Sequence, residues 1–574
     1  MNPFRVILFM AFVVSILFVL LEWTGDHFTD NATTPVVVPV AASFDQEVPR
    51  SETFRGIVYP WRCPPWRSAA QFNQSPAVTD KTVDVPDVNN IDFMETTSPK
   101  FTIVNIVNRQ VVYQPCDVLI VKIEARNWRN KPKNYGGDFF RLKIFSEDPY
   151  YSAAGEDEII DLRNGTYLAY FILRWSGEVN VQIKLIHPVE LLPQMSLTLS
   201  GKIGLNVTFI GEFKSNEIAE EVICRYVELE PPFCNLSNPL THGPWFCQRP
   251  KDPRLTCHNW KFHKMYKGTF LKLEENLSQL SKSLLKKSHM VEIGAKLSVL
   301  VDGVFLQGDS EERIWFELPY CVMEGAPAGI HTSGHFFRNR WYPHNCRVFD
   351  FSVDTGIKCL SHKNLVFLGD STIRQVFEYF RDIYKNHLEQ LPLPQGACKE
   401  HGPLELKGNK QNTSVKYHFH GLPSSGTGLV LRTDNIEYIA DRLNSGKDGC
   451  YVVYVLSLWA HFIATGKNFY AQRLLAIKHA VLAFLDRCPK SKVIIKGANT
   501  KDHPALWIAI VSSEWNIVQH ELKLRKMFQN EKRVGFIDAL DVTKVQPYKD
   551  NVHPDRRIVK EFVNRILTYI CKNS

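Results

Sequence analysis

The stretch Leu365-Val-Phe-Leu-Gly-Asp-Ser371-Thr-Ile-Arg-Gln375 decides how the C-terminal half of the chain folds. Residues 365–368 are apolar and read as a buried strand, which Gly369-Asp370-Ser371 ends abruptly. Ile373, Val376, Phe377 and Phe380 then recur at helical spacing. A strand that turns at once into a helix lifts Ser371 onto the helix N-terminus. Backbone N–H groups are unpaired there and the dipole favours negative charge. Most serines before helices are simply caps. One becomes a nucleophile when a histidine reaches it.

Such a histidine stands near the other end of the module. Asp550-Asn-Val-His553-Pro-Asp555 lies in a loop between a strand at 534–538 and a terminal helix at 556–570. An Asp three residues before a His can turn back and accept one imidazole N–H, leaving the other nitrogen to take a serine proton. Ser371 is therefore the candidate nucleophile, His553 the general base and Asp550 its orienting carboxylate. Either motif alone would read as a cap or a solvated loop; together, each beside a strand end, they point to chemistry.

The intervening chain alternates strands and helices. Strands are predicted at 451–456, 493–495 and 534–537, and helices at 373–384, 470–486, a broken 505–528, and 556–570. This alternation implies a parallel sheet with helices on both faces, whose ligands sit beyond the strand C-termini. Ser371, residues 459–461, Asn499 and His553 all follow strand ends.

The N-terminal half reads differently. Between Thr102 and Gly211, strands are predicted at 118–125, 139–145, 167–173 and 179–186, with a tight turn at Asn164-Gly165. Several short strands with regular turns suggest a β-sandwich. Residues 212–315 hold Cys224, Cys234, Cys247 and Cys257 in a stretch rich in Pro and His, read as a disulfide-linked connector. His242, His258 and His263 fall within it as candidate metal ligands, but disulfides are the better reading and no metal is expected. Residues 271–287 form a candidate amphipathic helix ending in a basic pair.

Residues 6–21 are apolar apart from Ser15, with Arg5 before and Glu22, Asp26 and Asp30 after. That pattern fits a signal anchor with a luminal C-terminus, or a cleaved signal peptide. Residues 23–99 lack periodicity and read as a stem, with Cys63 able to pin it to a later domain. Seven Asn-x-Ser/Thr sequons occur, at Asn31, Asn73, Asn164, Asn206, Asn235, Asn276 and Asn412; Asn164 lies in the predicted turn and is read as structural. With the apolar N-terminus they point to the secretory pathway, as a type II membrane protein of the Golgi or another membrane, or as a secreted protein. Thirteen cysteines leave one thiol free or paired with another chain. The net charge of +8 over 574 residues is modest, and no basic run interleaved with aromatics implies nucleic acid.

These motifs carry a resemblance. Trp341-Tyr-Pro-His-Asn-Cys346, Cys359-Leu360, the 366–375 stretch, His420-Gly421, Ala460-His461-Phe462, residues 494–500 and the Asp550/His553 loop resemble a PC-esterase domain of the SGNH (GDSL-like) hydrolase superfamily. Gly165-Thr-Tyr167 with Trp175-Ser-Gly177-Glu-Val-Asn-Val resembles a filamin-type immunoglobulin-like repeat. With Asn134-Tyr-Gly-Gly-Asp-Phe139 and Ile186-His-Pro188 it is similar to the N-terminal half of the neurexophilin and PC-esterase domain family. The resemblance implies an immunoglobulin-like β-sandwich at 100–211 and an SGNH-hydrolase-like α/β domain at 316–574.

It also implies an oxyanion hole from the Ser371 and Gly421 N–H groups. A side-chain amide normally helps, but Trp459-Ala460 stand where relatives often carry Gly-Gln, so Asn499 is the substitute candidate. Arg374, Gln375 and His461 are candidate substrate contacts. The implied activity is serine-dependent acyl-ester chemistry on glycans, sialic acids among them, by hydrolysis or by O-acetyl transfer. Acetyl-CoA would be a co-substrate in the second case, with no bound cofactor in either. The alternative is an inactive neurexophilin-like glycoprotein whose β-sandwich binds a cell-surface protein.

Overall fold

The computed structural model describes residues 63, 91–147, 150–155, 159–200, 209–265, 277–294, 296–302, 318–395, 397–423, 430–463, 465–502, 509 and 512–572. The apolar run at 6–21 and the sequons at Asn31, Asn73, Asn206 and Asn276 lie outside them. Among the described residues no helix is long and apolar enough to cross a membrane.

Two antiparallel sheets build the N-terminal unit. Ile103–Ile106, Val118–Glu124, Thr166–Ile172 and Ile160–Asp161 form one. Phe139–Ser146 and Gly177–His187 pair at the heart of the other. Alternation decides what each strand buries: Leu119, Val121 and Ile123 from the first sheet meet Leu142, Ile144, Ile183 and Leu185 from the second in a common core. The unit is not confined to 100–211. Val291–Glu292 and Leu297–Val301 add to Gly177–His187, and the hairpin Gly334–Phe337/Arg340–Pro343 extends the same sheet through Tyr151–Ala153. Strand pairing is non-local, so breaks in composition along the chain did not mark its edges.

The expected connector is likewise more ordered than its sequence suggests. Phe209–Ser215, Ile218–Arg225, Phe233–Asn235, Phe246–Gln248 and Trp260–Met265 form an antiparallel sheet, completed by Val430–Arg432 from the C-terminal module. Cys224–Cys247 and Cys234–Cys257 staple it. Of the amphipathic helix expected at 271–287, Gln279–Lys287 is helical, with Leu284 and Leu285 buried; residues 271–276 lie outside the described residues. Four more disulfides join Cys63–Cys116, Cys321–Cys346, Cys359–Cys571 and Cys450–Cys488, and Cys398 is the free thiol. Asn235 and Asn412 are exposed, as is Asn164, whose side chain accepts the Thr166 N–H at 3.0 Å within its turn.

The C-terminal sheet runs Glu389–Gln390, Leu404–Gly408, Thr413–Phe419, Asn364–Gly369, Val452–Ser457, Lys492–Lys496, Val534–Ile537. The last five are parallel, and Leu404–Gly408 runs antiparallel to both of its neighbours. The helices lie on both faces as expected. Leu365 and Phe367 pack under helices Ser371–Ile383 and Arg556–Cys571. Val366 and Leu368 point the other way, toward Lys467–Arg487 and Glu514–Phe528. Strands at 389–390, 404–408 and 413–419 were not legible as such: Lys407 and Lys416 interrupt the apolar pattern near the sheet edge.

Candidate active site

Register alone brings the key residues together. Gly369 pairs with Phe419 on one side and Ser457 on the other, Ser457 pairs with Lys496, and Lys496 with Ile537. Ser371, Gly421, His461 and Asn499 each stand two to four residues beyond one of these paired positions, at the same end of the sheet. Gly369 is required by the close strands: a Cβ there would lie 2.3 Å from the Ser457 carbonyl oxygen.

Asp370 is the pillar of the turn. It is fully buried, and its Oδ1 accepts from the Thr372 N–H at 2.8 Å and the Thr372 hydroxyl at 2.7 Å, capping the helix. Its Oδ2 accepts the Ala460 N–H at 2.9 Å. Trp459 Nε1 donates to Thr372 Oγ1 at 3.1 Å. The Trp459-Ala460 pair therefore braces the serine turn from the neighbouring strand. Ser371, freed from capping because Asp370 does that work, lies 2.8 Å from His553 Nε2. Burial, then the Arg374 charge, pushes the His553 pKa down to about 4, against an opposing pull from Asp370. The ring is neutral at ordinary pH, the state a general base requires.

Asp550 does not take its expected place. Its carboxylate accepts from the Arg141 guanidinium, from Thr500 Oγ1 at 2.8 Å and from Gln546 Nε2 at 3.4 Å, rather than from His553. Arg141 also binds Glu514, with Nε at 3.0 Å from Oε1. A guanidinium fork gives a carboxylate a charge-assisted bond that a neutral imidazole N–H does not match. Asn499 anchors its surroundings: Nδ2 donates one of its two hydrogens to the Val552 carbonyl at 3.1 Å, and Oδ1 accepts from Lys496 Nζ at 2.7 Å. It holds the loop that carries His553.

Gln375 has a similar part, its Nε2 donating to the Pro554 carbonyl at 2.8 Å. Arg374 sits beside the site, with Nη1 donating to the Glu400 carbonyl at 3.2 Å and Nε 3.5 Å from Glu378. Gly421 has φ +84°, and a Cβ there would stand 2.3 Å from the Tyr438 ring. His461 is hydrogen-bonded through Nδ1 to His420 Nε2 at 2.9 Å. Among the described residues there is no group of three or more His, Cys, Asp or Glu able to hold a metal ion.

Residues 341–571 match the family described as NXPE family member 4-like, C-terminal domain, and residues 88–276 match neurexophilin. The two matches fall in the order that the sequence resemblance implies, and together span both modules. The chain belongs to the NXPE family. A solved structure titled "Peptidoglycan O-acetylesterase in action, 5 min" is similar over 39% of this chain and 95% of that one, at 10% identity and a TM-score of 0.21.

Three residues of this NXPE-family site were not singled out from sequence. Arg141 and Glu514 lie far from the motifs, and nothing in their local pattern marks them. Lys496 did leave a signal: a lysine ending an apolar strand three residues before Asn499. It is buried, its pKa lowered to about 8 by desolvation, with Asp370 and Glu521 pulling the other way.

Proposed function

We propose that this NXPE-family protein performs serine-dependent acyl-ester chemistry on glycans, with Ser371 as nucleophile and His553 as general base. The 2.8 Å approach of Ser371 Oγ to a neutral His553 Nε2 carries the reading. Ser371 Oγ attacks the ester carbonyl while its proton passes to His553. The proton then leaves with the departing alcohol or thiol, and water or a glycan hydroxyl resolves the acyl-enzyme. Backbone N–H groups of Ser371 and Gly421, at the ends of adjacent parallel strands, are the proposed oxyanion donors. Hydrolysis and transfer use the same residues; transfer takes acetyl-CoA or another acetyl thioester as co-substrate, and sialic acids are candidate acceptors.

The parallel sheet with its serine turn supports an SGNH-type assignment for the C-terminal module. The two sheets around one core support an immunoglobulin-like assignment for the N-terminal module. Six disulfides support a lumenal or extracellular setting. The apolar N-terminus is proposed as anchor or signal, and the β-module as a surface for a cell-surface protein.

Incubation of the purified full-length protein with a fluorophosphonate probe tests the catalytic reading. Covalent labelling that disappears in Ser371→Ala is expected. Absence of labelling in folded protein would overturn it in favour of a binding glycoprotein.

A further inference from the structure

Two backbone carbonyls bracket His553 in its loop, and a side-chain amide holds each. Asn499 Nδ2 donates to that of Val552 at 3.1 Å, and Gln375 Nε2 to that of Pro554 at 2.8 Å. Gln375 rides on the serine helix, so its anchor is fixed to Ser371. Asn499 lies in the turn after strand Lys492–Lys496, and Lys496 stands behind it. We propose that the Lys496 ammonium, acting through the Asn499 amide, is the positioning group that holds His553 at Ser371. The proposal rests on the acyl-enzyme reading above.

An ammonium only donates. Lys496 Nζ gives one hydrogen to the Gly497 carbonyl at 3.1 Å and another to Asn499 Oδ1 at 2.7 Å. The second bond fixes which way round the amide lies. Turned over, the amide would set its NH2 against the ammonium and its oxygen against the Val552 carbonyl, and both bonds would be lost. Lys496 is 1% exposed and Asn499 is wholly buried, so water is not at hand to replace them. An apolar side chain at position 496 would remove the group that selects one orientation.

The lysine itself is fixed in place. Its strand is paired on both sides, with Val452–Ser457 and with Val534–Ile537. Its Nζ lies 5.9 and 5.0 Å from the centroids of the Trp459 and Phe562 rings. Two carboxylates act on its charge: Asp370, which caps the serine helix, and Glu521, which accepts the Ala498 N–H at 3.0 Å. The lysine charge in turn acts on His553, which is neutral. The cation is thus coupled to the serine turn through Asp370 and to the histidine loop through Asn499. Desolvation lowers the Lys496 pKa to about 8 against the pull of both carboxylates. Below that pH the bond to Asn499 is charge-assisted and about twice as strong as the neutral bond that replaces it above.

The test is the rate of fluorophosphonate labelling of the full-length protein. Wild type should label and Ser371→Ala should not; failure at this stage overturns the acyl-enzyme reading and the proposal with it. Given labelling, Lys496→Met, which keeps the stem and removes the donors, should slow it by about 10–10²-fold, the cost of a slightly misplaced base. Asn499→Ala should slow it comparably, and the double variant should be no slower than either, because both act on one carbonyl. A double variant whose loss is the product of the two single losses overturns the proposal alone, as does Lys496→Met labelling at the wild-type rate. A second measurement does not need Lys496→Met to fold. The wild-type rate should fall by about 5–10-fold through an ionisation near pH 8, and Asn499→Ala should show no such fall. A merely structural lysine would not give this difference. A wild-type rate unchanged across that ionisation overturns the proposal, as does an equal fall in Asn499→Ala.

Discussion

Arg141 binds Asp550: a guanidinium on a strand of the N-terminal module holds the carboxylate three residues before His553. On Phe139–Ser146, Phe140, Leu142 and Ile144 face the β-core, so Arg141 and Lys143 face outward. Outward here means toward the second module, not water. Lys143 Nζ lies 3.2 Å from Tyr150 OH, and Tyr150 and Ser152 donate to the Val545 carbonyl at 2.9 and 2.6 Å.

The Arg141–Glu514–Asp550 cluster is largely out of water, with Glu514 at 1% side-chain exposure. Removing the cation leaves two carboxylates uncompensated, which costs about 3–5 kcal/mol when a buried pair is broken. Arg141→Ala is expected to lower the melting temperature and to weaken labelling of Ser371, whereas Arg141→Lys should recover part of both. Calorimetry that finds Arg141→Ala as stable as wild type would contradict the cluster's role.

His553→Ala should reduce Ser371 labelling by about 10²–10⁴-fold with little change in melting temperature. The pH profile carries the sign of the shift. Because the His553 pKa is lowered to about 4, the neutral base persists well below the ordinary imidazole value of 6.5. Labelling rate against pH should therefore keep its plateau through pH 6 and fall only near 4. An acid limb centred at 6.5 would refute this environment.

Stability should respond to acid sooner than activity. Burial lowers His263 and His401 to about 3, and His289 and His520 to about 4. The unfolded chain binds protons at these sites from pH 6.5 downward while the fold resists them. Their contribution is thus full above 6.5 and lost progressively as pH falls toward 4 and 3. Denaturant midpoints at pH 7.5 and 5.0 check this; an equal or higher midpoint at pH 5.0 would count against it.

Asn499→Ala separates two roles for that side chain. Loss of the Val552 anchor and of the Lys496 contact, together about 2 kcal/mol, should lower the melting temperature and slow labelling by less than about 10²-fold. Loss of an oxyanion donor would slow it by about 10²–10³-fold. Rates in the larger range would return Asn499 to the oxyanion site.

Ser371 and His553 were readable because each is marked locally. A strand-to-helix turn needs Gly369 and a capping Asp370, and a Pro after His553 keeps its loop short of the helix. The edge strands at 389–390 and 404–408 were missed because polar residues interrupt their pattern, and the β-unit's outer strands because they arrive from residues 291–301 and 334–343.

Periodicity and turn chemistry, which depend on neighbours in the chain, determined by themselves that a β-rich module precedes an alternating α/β module. They also determined that a serine stands at a strand end of the second and that a histidine lies in the loop before its last helix; the helix Ala539–Lys544 between the last strand and that loop was not foreseen. Which carboxylate serves whom was decided only by the tertiary structure. Asp550 was assigned to His553 on proximity in sequence, but hydrogen bonds and ion pairs form by proximity in space. The packed modules bring Arg141 to Asp550, strands flanking Asn364–Gly369 in one sheet bring His420 to His461, and a fixed guanidinium then dictates where the Asp550 charge rests.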